Sequence, residues 1–188
     1  MVPPGSYSVT ISIGNLSCTE SFQVERDPRV DSSDDDLNLQ FDLLQRIIQS
    51  IIDGNEGVRQ IKLLRSQLES YQKRSEKHPS YDDVRKSALN LIYKLDQIEA
   101  RLLLAPGTLL GSRSPNRGAF TIFNGGLIPR LGPLADTVGI GDGLPTSQAI
   151  QVFDEISSEL NDQLLLLKTI LNEELAIFIS FLIAFLIF

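Results

Sequence analysis

DDDLNLQFDLLQRIIQSIIDGNEGVRQIKLLRSQLESYQKRSEK, residues 34–77, is the stretch that decides how the rest of the chain must fold. Apolar residues recur in steps of three and four at Leu37, Phe41, Leu44, Ile48 and Ile51, then again at Val58, Ile61, Leu64, Leu68 and Tyr71. That spacing lines one side of a long helix and requires a partner surface along its whole length. Asp53-Gly54-Asn55-Glu56-Gly57 is its soft joint, since each glycine costs roughly 1 kcal/mol in a helix interior. The stripe slips by one residue across the joint, which predicts a continuous but bent helix, with a break into two helices as the alternative. On that reading, alanine at Gly54 and Gly57 stabilises the fold by roughly 1–2 kcal/mol.

Two later stretches carry matching stripes. Val84, Ala88, Leu91, Leu95, Ile98 and Leu102 keep a strict four-three rhythm, following a helix end at His78-Pro79 and a start at Ser80, with Asp83 as its capping-box partner. Phe153, Ile156, Leu160, Leu164, Leu167, Leu171 and Leu175 form the third, with Thr146 after Pro145 as N-cap. Between them, residues 106–118 form a loop rich in Gly, Ser, Pro and Arg. A short broken helix is expected over 124–134, packed across the bundle. The expected fold is therefore mainly α: three long antiparallel helices in a bundle with a short crossover helix, preceded by an N-terminal β-hairpin.

The hairpin lies in residues 6–24. Tyr7, Val9, Ile11 and Ile13 alternate with hydroxyl residues, the period-two pattern of a half-buried strand. Gly14-Asn15 suits the tight turn, and Leu16, Cys18, Phe22 and Val24 share a face of the returning strand, with Glu20 breaking the pattern. Two strands alone are marginal in water, so either the helices cover the hairpin or its companion strands belong to a longer parent chain; the second is favoured.

Composition bounds the function. A chain of 188 residues with 42% hydrophobic content can bury a sizeable core. A net charge of −7 argues against nucleic-acid binding, which needs a basic face. The single cysteine, Cys18, excludes an internal disulfide and a cysteine-based metal cluster. Met1-Val2-Pro3-Pro4 has neither the basic start nor the apolar run of a signal peptide.

Each residue that could carry chemistry has a plainer explanation. Asp31, Asp34, Asp35 and Asp36 lack the alternating ligand spacing and fixed glycine of a calcium loop, and they suit a helix start with Ser33 as N-cap. His78, the only histidine, falls at a turn with no partner in view. Gly139-Ile140-Gly141-Asp142-Gly143 looks like a dinucleotide loop but follows no suitable strand, so it reads as a connector. Arg113, Arg117 and Arg130 lie in or beside the crossover, too loosely placed to grip a carboxylate together. No catalytic, cofactor-binding or metal-ligating residue is assigned, and no cofactor is expected.

The end of the chain departs from this pattern. From Leu175 to Phe188 only Ser180 is polar, and apolar residues surround every helix face. As a helix this stretch spans ~21 Å, short of a ~30 Å hydrocarbon core. It reads as a membrane-inserting end, a segment buried in a partner, or a sequence that has drifted from its parent pattern.

Pro4-Gly5-Ser6-Tyr7-Ser8-Val9 resembles the opening of a last Ig-like hairpin, and Val24-Glu25-Arg26-Asp27-Pro28-Arg29-Val30 resembles the segment joining such a hairpin to a helical region. Gln148-Ala149-Ile150-Gln151-Val152-Phe153-Asp154-Glu155 and Glu159-Leu160-Asn161-Asp162-Gln163-Leu164 look like the final helix of that region. The family with these features is the C-terminal part of large bacterial sortilin-like proteins with BNR (Asp-box) repeats, often labelled sialidases or glycosyl hydrolases. The resemblance covers about residues 3–178 and implies 1–26 as the remnant of an Ig-like domain and 27–178 as the helical bundle; the apolar tail at 179–188 departs from the family, whose helix usually turns polar there. It implies a secreted, non-catalytic structural or interaction module, with any active site in a propeller absent from this sequence. The partner would be another protein or that propeller. The alternatives are a small membrane-associated protein anchored through Leu175 to Phe188, and part of a hydrolase whose site lies in the missing propeller.

Overall fold

A computed structural model of the chain describes residues 2–75, 82–103 and 125–186. It is mainly helical with an N-terminal antiparallel hairpin, as the patterning predicts. Strands β1 (Gly5–Ile13) and β2 (Leu16–Val24) pair residue for residue, Tyr7 with Phe22 and Val9 with Glu20. Gly14 takes φ 58° at the turn, a conformation that favours glycine.

Helix α1 (Asp34–Ser75) runs without interruption through both glycines. Its first turn is a capping box: the Ser33 hydroxyl accepts from the Asp36 backbone N–H at 3.1 Å, while the Asp36 carboxylate accepts from the Ser33 N–H at 3.0 Å. Helix α2 (Asp82–Leu103) buries the six expected residues, from Val84 to Leu102. Helix α3 (Leu127–Gly139) starts three residues later than expected and continues to Gly139 with Pro133 inside it. Helix α4 (Ser147–Thr169) begins at the expected Thr146 cap, whose hydroxyl accepts from the Ala149 N–H at 3.1 Å. A π-helical turn (Ile170–Glu174) then leads directly into helix α5 (Leu175–Leu186).

The contacts set the directions. Arg65 of α1 pairs with Asp96 and Glu99 of α2, and Arg101 and Lys94 of α2 pair with Glu159 and with Glu174 of the π turn. Helix α2 therefore runs opposite to α4, and opposite to α1 as well, since Arg46 meets Asp154 and Gly57 meets Leu164, which sets α1 parallel to α4. Helix α3 does not cross the bundle as expected. Ile128 meets Gly54 and Val138 meets Gln40, so α3 lies antiparallel along the first half of α1.

One apolar core results, reaching from Leu43 on α1 to Phe178 on α5. The phase slip expected on α1 is not there. Its buried face runs through Leu37, Gln40, Leu43, Ile47, Gly54, Val58, Ile61, Leu64 and Leu68, with Ile51 partly buried between. Ile48, expected inside, is 45% exposed, and Phe41 is half-buried. The stripe escaped a count of apolar residues because a glutamine and a glycine hold two of its places.

Both glycines are positions of close approach. A Cβ on Gly54 would stand 2.8 Å from Ile128 Cγ1 and 2.9 Å from its Cδ1. One on Gly57 would stand 2.7 Å from Leu164 Cδ2. The expectation that alanine at both sites stabilises is thereby corrected: the missing side chains let α3 and α4 come in close against α1.

Candidate interaction surface

The hairpin is the part of the molecule whose surface does not match its environment. One face carries Ser6, Ser8, Thr10, Ser12, Ser17, Thr19, Ser21 and Gln23, tied across the strands by Thr10–Thr19 at 2.8 Å and by Gln23 donating to Ser6 at 2.6 Å. The other carries Tyr7, Val9, Ile11, Ile13, Leu16, Cys18 and Phe22, with Glu20 among them. Every residue from 8 to 23 is exposed, Ile13 at 76% and Leu16 at 78%. The helices do not cover this sheet. An amphipathic sheet of two strands ordinarily buries its apolar face on something.

At the base of the hairpin the contacts are local, and the linker that follows it reaches the bundle through Ser32. The Tyr7 hydroxyl donates to the Pro3 carbonyl at 2.6 Å, and the Tyr7 and Phe22 rings stack at 6.0 Å. Asp27 accepts from the backbone and guanidinium of Arg29, and hydrogen bonding to that arginine holds its carboxyl below the usual range. Arg26 donates to the Ser32 carbonyl, and the Ser32 hydroxyl donates to the carbonyl of Asp142 between α3 and α4. A cleft of about 170 Å³, lined by Pro3, Pro4, Val24, Val30 and Leu37 among others, lies at this junction.

The residues weighed for chemistry separate cleanly. The acidic run at 34–36 occupies the first turn of α1, and hydrogen bonds from Ser33 hold the Asp36 carboxyl below its ordinary value. Among the described residues no three His, Cys, Asp or Glu side chains come together as metal ligands. Gly139 to Gly143 links α3 to α4, and Gln40 donates to the carbonyls of Val138, at 2.6 Å, and Gly141. Those glycines therefore serve as a latched connector, as their sequence context predicts. Arg130 lies half-buried on α3, whereas His78, Arg113 and Arg117, and the Ser80 cap, fall outside the described residues.

Most of the interhelical charges are engaged with one another. Arg46 pairs with Asp154 at 3.2 Å and lies over the Phe153 ring at 4.7 Å. Lys94 grips Glu174 at 2.7 Å, beside the π turn. Glu56 is held at a pKa of about 2 by the Arg59 guanidinium and the Gln60 amide, which keeps it an ionised acceptor.

The apolar end of the chain is a second mismatched surface. Phe178 is buried and meets the Tyr71 ring edge-on at 6.1 Å, and Leu175 and Leu182 pack against the core. The other side of α5 exposes Ile177 at 70% and Ile183 at 51%. Among the described residues no helix is long and apolar enough to cross a membrane.

This arrangement defines a helical bundle that carries a projecting amphipathic hairpin. No family model, no characterised protein and no solved structure matches the chain.

Proposed function

We propose that the chain is a non-catalytic structural and interaction module of the kind found as the helical C-terminal region of secreted BNR-propeller proteins. The uncovered apolar face of the hairpin, Tyr7, Val9, Ile11, Ile13, Leu16 and Phe22, carries this reading. Such a face suits further β-structure laid over it or beside it, as in an Ig-like sheet. The bundle beneath is a stiff base, its helices joined by a continuous core and bridged by ion pairs that engage Asp96, Glu99, Asp154, Glu159 and Glu174. Glycoside hydrolysis needs two carboxyl groups held across a sugar cleft, one of them protonated at the working pH. The bundle's bridging carboxylates are instead engaged by arginine and lysine side chains of neighbouring helices. In a chain with a propeller, hydrolytic chemistry would belong to the propeller.

The test is turnover of aryl-glycoside and sialoside substrates by the purified chain. None is expected. Reproducible turnover that disappears with Arg130→Ala, or with loss of a nearby acid, would overturn the reading. A second reading has its own observation in the exposed Ile177, Ile179 and Ile183 of α5: association of this end with a lipid surface, the chain being anchored through Leu175 to Phe188.

A further inference from the structure

The two edges of the hairpin are chemically unequal. Strand β1 contains no charged residue and no proline between Gly5 and Ile13. Strand β2 carries Glu20 at its midpoint, on the apolar face. A charge pointing from the centre of an edge strand opposes pairing with another chain, whereas an uncharged, alternating edge is a template for it. One edge of this sheet is thus guarded and the other is open.

The open edge is also complementary to itself. If β1 meets a second β1 antiparallel about a two-fold axis at Val9, Val9 faces Val9 of the copy. Tyr7 then faces Ile11, Ser8 faces Thr10, and Ser6 faces Ser12, so apolar meets apolar and hydroxyl meets hydroxyl. The same operation on β2 centres on Glu20 and sets two carboxylates directly opposite each other, which is destabilising. The bundles do not obstruct the pairing. The hairpin joins its bundle at the Gly5 and Val24 end and turns at Gly14, so antiparallel strands place the two bundles at opposite ends of a sheet about 30 Å long.

We propose that two copies of this chain associate edge to edge through β1 into a four-stranded antiparallel sheet of order β2-β1-β1-β2. The interface is isologous, the same strand contributing from each side. It replaces a marginal two-stranded ribbon with a sheet wide enough to be stable, whose one face is apolar except for Glu20 on each outer strand and whose other is lined with hydroxyls. The inference rests on the interaction reading above and names a partner for it: a second copy of the chain.

Sedimentation of the full chain across a range of concentrations tests the pairing. A reversible dimer is expected, weakened at least about tenfold by Val9→Lys, which sets like charges opposite each other at the axis. Glu20→Lys, on the far edge, should leave the dimer intact, and far-ultraviolet circular dichroism should show unchanged helicity in both variants. A second arm reads the geometry directly. Residues facing each other across antiparallel strands have Cα atoms ~4.5–5.5 Å apart, within disulfide range. In a Cys18→Ser background, Val9→Cys should oxidise to a linked pair and Glu20→Cys should not. A chain that is monomeric throughout and fails to cross-link at position 9 overturns the proposal. So does a dimer indifferent to Val9→Lys, which would place the contact elsewhere, as on α5. Glycosidase turnover would instead remove the interaction reading, whatever the oligomeric state.

Discussion

Gln40 shows how one side chain can organise a junction. It is 2% exposed on α1, yet its amide nitrogen serves two backbone carbonyls, those of Val138 and Gly141, as the chain leaves α3. Its own oxygen has no hydrogen-bond partner. Removing the donor leaves two carbonyls short of a bond, while removing the oxygen costs little. Gln40→Leu, which nearly conserves volume, should therefore lower stability by about 1 kcal/mol, and Gln40→Ala by more because it also leaves a cavity. Urea unfolding of the two variants separates the terms: Gln40→Leu reads the hydrogen bonds and the difference between the variants reads the cavity, so an unchanged Gln40→Leu would show that the hydrogen bonds contribute little. No sequence pattern identifies such a residue. A buried glutamine looks like a surface one until its carbonyl partners, about a hundred positions away along the chain, are known.

Among the elements, α1 and α2 differ in how plainly their residues announce the buried face. In α2 the stripe is wholly apolar and unbroken, so Val84 through Leu102 can be read directly even though Leu89 and Tyr93 stand exposed outside it. In α1 the stripe includes Gln40 and Gly54, and neighbouring Phe41 and Ile48 offer a plausible but false register. The glycines carry opposite lessons at the level of propensity and of packing. Alanine at Gly54 gains roughly 1 kcal/mol in helix propensity but drives a methyl into the branched stem of Ile128, a class of overpacking that costs ~1–3 kcal/mol. We expect Gly54→Ala to be destabilising by about 1 kcal/mol. Gly57→Ala should be close to neutral, since its one close contact is a terminal methyl of Leu164, with Leu167 Cδ2 at an ordinary 3.5 Å, beside a cleft of about 340 Å³. Paired thermal melts distinguish the two, and a stabilising Gly54→Ala would mean that α3 can yield without loss.

For the whole molecule, the parts that could be read early are those where one period governs everything: the alternating hairpin, the second stripe and the Thr146 cap. The course of α3 could not, because Gly132 and Pro133 read locally as a break while burial of Leu131, Leu134 and Val138 carries the helix through them. The end of the chain is legible only in part. Its apolarity on every face hides that Phe178 and Leu182 face the core while Ile177 and Ile183 face outward. If that outward side meets lipid, the full chain should partition onto zwitterionic vesicles, and a chain ending at Glu174 should remain in the buffer. Equal partitioning of the two would end the anchor reading.

The π turn at Ile170–Glu174 gives the final helix its own reading frame. An α-helical residue advances the face by about 100°, so deleting one residue from the middle of α2 would swing every later member of its stripe off the core. A π turn holds one residue more than the α turn it replaces. A chain lacking one residue there can close the gap as ordinary helix and still deliver Phe178 to Tyr71. The π turn is thus a place where the chain's length can change by a single codon without rewriting the register on either side.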